Sequence, residues 1–169
     1  MTQSTQSSAE TKLREEWDLL KTSGLLSQIG CSAGPKRIRK GIYNMFEWNA
    51  LIKAPKNSPY NGYMFQFEII YPSNYPEKPP KVKCKTKVYH MNIRESDGDV
   101  CVSSIKDNNK WAEAKSISEV LKSIFVIFRN PYPGSPYNGK MANIYNTNRQ
   151  EYEKNVKEYC EKYAIKCQE

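Results

Sequence analysis

The apolar residues of this chain change period twice, and that change limits the folds open to it. From Glu10 to Thr22, Leu13, Trp17 and Leu20 recur at helical spacing among charges and Gly24 follows, so an amphipathic helix is expected over about residues 10–22. From Gln28 to about His90 the pattern is that of strands. Tyr43 to Ala54 (YNMFEWNALIKA) is aromatic-rich and partly alternating, Tyr63 to Tyr71 (YMFQFEIIY) is the strongest strand, and Lys81 to Lys85 is a short third one. Pro59-Tyr60-Asn61-Gly62 and Pro72-Ser73-Asn74-Tyr75-Pro76 supply turn chemistry between them. Successive strands with short connections favour an antiparallel meander. The helical period returns from Ser116 to Arg129, where Ile117, Val120, Leu121, Ile124, Phe125 and Phe128 form a stripe behind a Ser116 N-cap. Two further helices are expected at about 138–146 and 148–165, the second with Tyr152, Val156, Tyr159 and Tyr163 on one face. Between them and the first, Asn130 to Tyr137 holds three prolines and must be largely extended. The class is therefore α+β, with residues 1–9 expected as a flexible tail and 10–169 as one domain.

One stretch fits neither period. From Tyr89 to Trp111 more than 20 residues are without regular patterning, which inside a compact domain marks a functional segment. It holds the only histidine, His90, then Asn92, then Asp97-Gly98-Asp99-Val100-Cys101. A thiol outside regular structure, with polar side chains near enough to meet developing charge, is what nucleophilic sulfur chemistry needs. From the residues alone, a single cysteine near a single histidine is more often incidental. The local signatures of cysteine proteases are absent around Cys101, which counts against that use of the pair.

Composition excludes other classes. Five cysteines (Cys31, Cys84, Cys101, Cys160 and Cys167), an odd number with no C-x-x-C pair and one histidine, argue against a disulfide framework or a zinc site; most are expected to be small buried hydrophobes and no metal is expected. No run of about 18 apolar residues could span a bilayer, and Met1 to Glu10 lacks the apolar core of a secretory signal. A soluble cytoplasmic or nuclear protein with no membrane partner is expected. The formal charge of +8 makes acidic partners plausible, and Lys36-Arg37-Ile38-Arg39-Lys40 is the densest basic run, at most a partner-steering patch. No nucleic-acid ligand is expected, because the aromatics, 12% of the chain, sit at core-like spacing with no RNA-binding signature.

Six motifs in register then bear on function. Tyr71-Pro72-Ser73-Asn74-Tyr75-Pro76-Glu77-Lys78-Pro79-Pro80-Lys81-Val82 looks like the Y-P-x-x-P-P segment of the ubiquitin-conjugating enzymes; His90-Met91-Asn92-Ile93 looks like their His-Pro-Asn tripeptide; Gly98-x-Val100-Cys101 matches the approach to their active-site cysteine. Trp111, Ile117-Ser118-x-Val120-Leu121 and Asn130-Pro131-x-Pro133 follow in the same order, so the resemblance covers about residues 10–165. It implies an N-terminal helix, a four-stranded antiparallel sheet, an irregular active-site segment and C-terminal helices. It also implies that an activating enzyme, which consumes the ATP, passes ubiquitin or a relative of it to Cys101 as a thioester, and that a substrate lysine then takes it, with or without a RING-type ligase. It implies no bound cofactor.

The same resemblance assigns residues. Asn92 would stabilise the oxyanion, hold the loop, or both; His90 would tie the loop down; Ser103, Ser135 and Asp99 would line the active site. Lys12, Arg14, Glu77 and Glu113 stand where activating enzyme and ligase are gripped, and Ser32 where a second modifier docks on the back of the sheet. Departures accompany these. Met91 replaces the family's proline, one extra residue lies between His90 and Cys101, and Ser103 and Ser135 replace acidic residues that help deprotonate the incoming lysine. Asp97 or Asp99 is a candidate to compensate. Glu77 and Ala112-Glu113-Ala114 replace the apolar ligase-facing residues, and unpaired carboxylates resist an apolar groove. Asn148-Arg149-x-Glu151-Tyr152-Glu153-Lys154 looks like the SUMO-conjugating branch, although Arg94 and Ser135 stand where that branch reads its acceptor; Lys81-Val82-Lys83-Cys84-x-Thr86-x-Val88-Tyr89-His90 looks like the cullin-modifying branch; Cys31-Ser32-Ala33-Gly34-Pro35 resembles ubiquitin-charging members. Ubiquitin is the expected modifier. A ubiquitin-like modifier and a non-catalytic scaffold are the alternatives, the presence of Cys101 standing against the scaffold.

Overall fold

A computed structural model describes residues 7–168. Its first helix, α1 (Ser8–Thr22), starts earlier than the apolar period indicates, because the Ser7 side chain accepts the Glu10 N–H and Ala9 is buried. Of the expected tail, residues 1–6 lie outside the described residues, and Ser7 to Ala9 form the cap and first turn. Trp17 sits at the margin of the buried face, and Glu16 takes a place on it. That carboxylate accepts hydrogen bonds from the Tyr75 hydroxyl and the Ile117 N–H, both at 2.9 Å, joining α1 to the proline-rich turn and to the next long helix.

After the short helix α2 (Leu25–Gln28) comes an antiparallel meander, β1 (Cys31–Arg39), β2 (Ile42–Lys53), β3 (Tyr63–Ile70) and β4 (Lys81–Cys84), paired in that order. On β3, Phe65, Phe67 and Ile69 face the core at period two, and Trp48, Ala50 and Ile52 of β2 join them. β1 has no such alternation to reveal it. Its register shifts between Pro35 and Lys36 and again between Arg37 and Arg39, and its last residues are the exposed basic run.

The segment expected to be irregular contains two short helices, α3 (Ser103–Lys106) and α4 (Asn108–Ala114), each too brief to show a period. Asp107 caps α4 by accepting from the Asn109 and Lys110 N–H groups. Beyond them α5 (Ile117–Arg129) packs on the sheet through Phe128, capped by Ser116, with Ile127 rather than Phe125 completing its buried stripe. α6 (Gly139–Thr147) and α7 (Arg149–Tyr163) follow. α7 buries Tyr152, Val156 and Cys160, leaves Tyr163 outside, and ends before Ile165 and Lys166, which form β5 and pair with Tyr63 and Met64 of β3. Phe128 is the aromatic hub between α5 and the sheet, with ring centroids 5.0 Å from Tyr60, 4.7 Å from Phe65, 6.1 Å from Phe67 and 5.3 Å from His90.

Candidate active site

The chain around Cys101 is held on both sides by backbone hydrogen bonds. The Val100 N–H donates to the Val82 carbonyl of β4 (3.2 Å), and the Cys101 N–H to the Asn92 carbonyl (2.8 Å). The approach to it turns at Gly98, whose φ of 74° favours glycine. A Cβ there would lie 2.1 Å from the Cys84 carbonyl oxygen, so the G-x-V-C spacing has a steric cause in this chain. The sulfur sits on an irregular but pinned segment.

His90 is fully buried and both ring nitrogens are engaged. Nε2 lies 2.8 Å from the Ile127 carbonyl, which can only accept, and Nδ1 accepts the Asn92 N–H at 3.0 Å. These partners fix the neutral Nε2–H tautomer, and burial lowers the ring's pKa to about 4. The ring fastens the end of α5 to the cysteine segment and has no free nitrogen to act as a base.

Asn92 is buried too. Its Oδ1 accepts the Tyr132 N–H at 2.8 Å; its Nδ2 donates to the Tyr132 carbonyl at 2.8 Å and, at the long limit, to the Ser135 carbonyl at 3.4 Å. The amide is therefore spent on the proline-rich loop after α5. Met91, in the place of the family's proline, is buried, and its carbonyl accepts the Tyr137 N–H at 2.8 Å.

Asp97 and Asp99 are occupied by cations. Asp97 receives the Arg94 Nε at 2.9 Å and the Asp99 N–H at 3.1 Å. One oxygen of Asp99 receives the Lys106 ammonium at 2.8 Å, the Arg94 guanidinium at 3.1 Å and the Tyr137 hydroxyl. Burial alone would raise the Asp99 carboxyl, but hydrogen bonds from Lys106 and Tyr137 and the charges of Lys106 and Arg94 outweigh it and hold the pKa below the usual range. Burial and donation to Asp99 push the Tyr137 phenol upward. Both carboxylates stay ionised and are paired with cations, which lowers their basicity. Tyr137 and Lys106 escaped the sequence reading because their partner, Asp99, is 38 and 7 residues away, with no local pattern to tie them.

Ser103 opens α3, exposed, beside Cys101 on a groove of about 500 Å³ that Lys110, Lys122, Val126 and Tyr132 also line. Ser135 is exposed on the loop that Asn92 holds. The remaining thiols separate by burial: it pushes Cys31, Cys84 and Cys160 up to about 12, too high for a thiolate at neutral pH. By solvent exposure only Cys84 and Cys160 are buried, so the expectation that most of the five are core residues fails; Cys31, Cys101 and Cys167 are partly exposed.

The expected partner-facing residues lie on other surfaces. Trp111 is buried and its Nε1 donates to the Pro76 carbonyl at 2.9 Å, which places α4 against the loop of exposed Glu77. The side chains of Glu113 and Ala114 lie outside the described residues. On α1, Lys12 pairs with Glu16 at 3.5 Å and Arg14 with Glu10 at 2.7 Å. Ser32 is exposed on β1 opposite Leu51, in a shallow hollow of about 640 Å³ on the outer face of the sheet.

A family model described as ubiquitin-conjugating enzyme matches residues 14–160 of the 169-residue chain, taking in α1 beyond its first turns, the meander, the Cys101 segment and most of α7. Members of that family are in general transferases that work with ubiquitin, an activating enzyme and ligases. With helix, curled antiparallel sheet and C-terminal helices in the family's order, the chain belongs to the ubiquitin-conjugating enzyme family.

Proposed function

We propose that this protein is an active conjugating enzyme that carries ubiquitin on Cys101. The observation that supports it is the setting of the sulfur: partly exposed, at the mouth of a groove, three residues after a turn that only glycine fits, on a segment pinned to β4 and to Asn92. In the first step the Cys101 thiolate attacks the thioester carbonyl on the activating enzyme; one C–S bond forms, one breaks, and the donor sulfur leaves as thiolate. In the second, a neutral lysine amine attacks the Cys101 thioester; the C–N bond forms, the C–S bond breaks, and the proton passes to solvent. No bound cofactor is needed, since the activating enzyme spends the ATP. Asn92 holds the loop, and its longer bond, to Ser135, is the one it can give up to meet a developing oxyanion. His90 fixes the loop as a neutral ring.

With Ser103 and Ser135 uncharged and Asp99 paired with cations, intrinsic discharge to free lysine is slow, and ligase or substrate supplies the missing activation. Incubation with ATP, activating enzyme and modifier tests the assignment. A band labile to reductant is expected with ubiquitin, absent in Cys101→Ala and replaced by a reductant-stable ester in Cys101→Ser. No band with ubiquitin but one with a ubiquitin-like modifier and its own activating enzyme moves the protein to that pathway; no band with any of them leaves the scaffold.

A further inference from the structure

The loop after α5 is fastened to the cysteine segment at two places. Asn92 holds it at Tyr132, and Tyr137 holds it at its far end, through its N–H to the Met91 carbonyl at 2.8 Å and its hydroxyl to Asp99. Ser135 lies between the two fastenings. Asp99 stands two residues before Cys101, and its side chain is 12% exposed. The oxygen that takes the Tyr137 proton also takes Lys106 from α3 and Arg94 from the turn before Gly98, so three separate parts of the site meet on one atom. The Arg94 guanidinium stacks 4.8 Å over the Tyr137 ring, which restrains the ring as well as its hydroxyl.

We propose that Tyr137, through its hydrogen bond to Asp99, is a positioning residue for transfer of the acyl group from Cys101 to the amine. The proposal rests on the reading of Cys101 as the acyl carrier. Aminolysis here gains no charge from Ser103 or Ser135, so what the protein supplies is fixed geometry around the thioester, and loss of orientation is costly even when no reacting group is removed. Tyr137 does not touch the reacting atoms. It keeps the loop bearing Ser135, and the Asp99–Cys101 segment, as one rigid rim while nitrogen replaces sulfur on the carbonyl carbon.

The test uses the full chain, charged with modifier by the activating enzyme and then chased with free lysine at several concentrations in a single turnover. Tyr137→Phe keeps the shape and removes the bond; Asp99→Ala removes the acceptor, and with it the pairs to Lys106 and Arg94. Thioester formation is expected to stay within about twofold, while the maximal discharge rate falls about tenfold with little change in the lysine concentration at half-maximum. The double variant is expected to be no slower than Asp99→Ala alone, because Tyr137 acts through that carboxylate. Lys106→Met, a change at a half-exposed side chain, should give a smaller loss in the same direction and covers the case in which the other variants fold poorly. Normal discharge in Tyr137→Phe, additive losses in the double variant, or charging that falls in step with discharge would each overturn the positioning role. A wild-type protein that accepts no modifier sinks the carrier assignment itself, a different result from a charged protein indifferent to Tyr137.

Discussion

Asn92 binds both sides of one peptide unit's residue: its Oδ1 takes the Tyr132 N–H and its Nδ2 gives to the Tyr132 carbonyl, each at 2.8 Å. The carboxamide is thus the peg on which the proline-rich loop hangs. Asn92→Ala removes donor and acceptor together and leaves two backbone groups to find water, at a cost of about 1–3 kcal/mol. Chemical denaturation should register that loss, and lysine discharge should fall further than thioester formation. Equal stability in the alanine variant would show that the loop does not depend on this side chain.

Burial of His90 makes stability depend on pH in a known direction. The folded ring's pKa is depressed to about 4 from an ordinary value near 6.5, so between those limits the unfolded chain binds the proton and the folded one does not. Stability is therefore full above about pH 6.5 and is lost as pH falls toward 4, by roughly 3 kcal/mol in total. His90→Gln keeps an amide donor within reach of Ile127 and removes the titration. Denaturation midpoints at pH 7, 5.5 and 4.5 should show a shallower slope in the variant; parallel slopes would assign the acid sensitivity to other groups.

At Gly98 two penalties coincide. A methyl group would sit 2.1 Å from the Cys84 carbonyl oxygen, and the φ of 74° is costly for any residue with a Cβ. Gly98→Ala must move either β4 or the cysteine segment, at a cost of about 3 kcal/mol or more. Thioester formation should drop along with thermal stability, because the Cys84 N–H bond to the Gly98 carbonyl at 2.8 Å and the register of Cys101 move together. An alanine variant that charges and melts like the wild type would refute the steric account of the motif.

Much of the architecture was legible because its long elements repeat a period. β3 shows Phe65, Phe67 and Ile69 at spacing two, and α5 shows Ile117, Val120, Leu121 and Ile124 at helical spacing, so burial and pattern coincide. The misses have physical causes. β1 loses its alternation to two register shifts, α3 is a single turn, α4 is held by its Asp107 cap and by the Trp111 bond to Pro76 rather than by an apolar stripe, and β5 is two residues long. At the site, Cys101, Asn92 and His90 stand out as rare polar residues in an unpatterned stretch. Tyr137 and Lys106 do not, because their role lies in contacts with Asp99 that only the folded chain creates.

The hub residue Phe128 offers a test of how the core supports the site. Its ring touches the sheet through Phe65 and Phe67, the turn before β3 through Tyr60, and the active-site segment through His90. It is also the next residue after Ile127, whose carbonyl receives the His90 proton. Truncation to alanine opens a cavity that no neighbour can fill without disturbing one of these contacts, and a cost of about 3–5 kcal/mol is expected. Phe125, on the same helix but only partly buried, should cost clearly less when truncated, although sequence periodicity ranks the two alike. Urea denaturation of Phe128→Ala and Phe125→Ala decides between pattern and packing: equal losses would mean that the helix rotates to share its burial, and the predicted inequality would mean that α5 is locked with Ile127 and Phe128 turned toward His90.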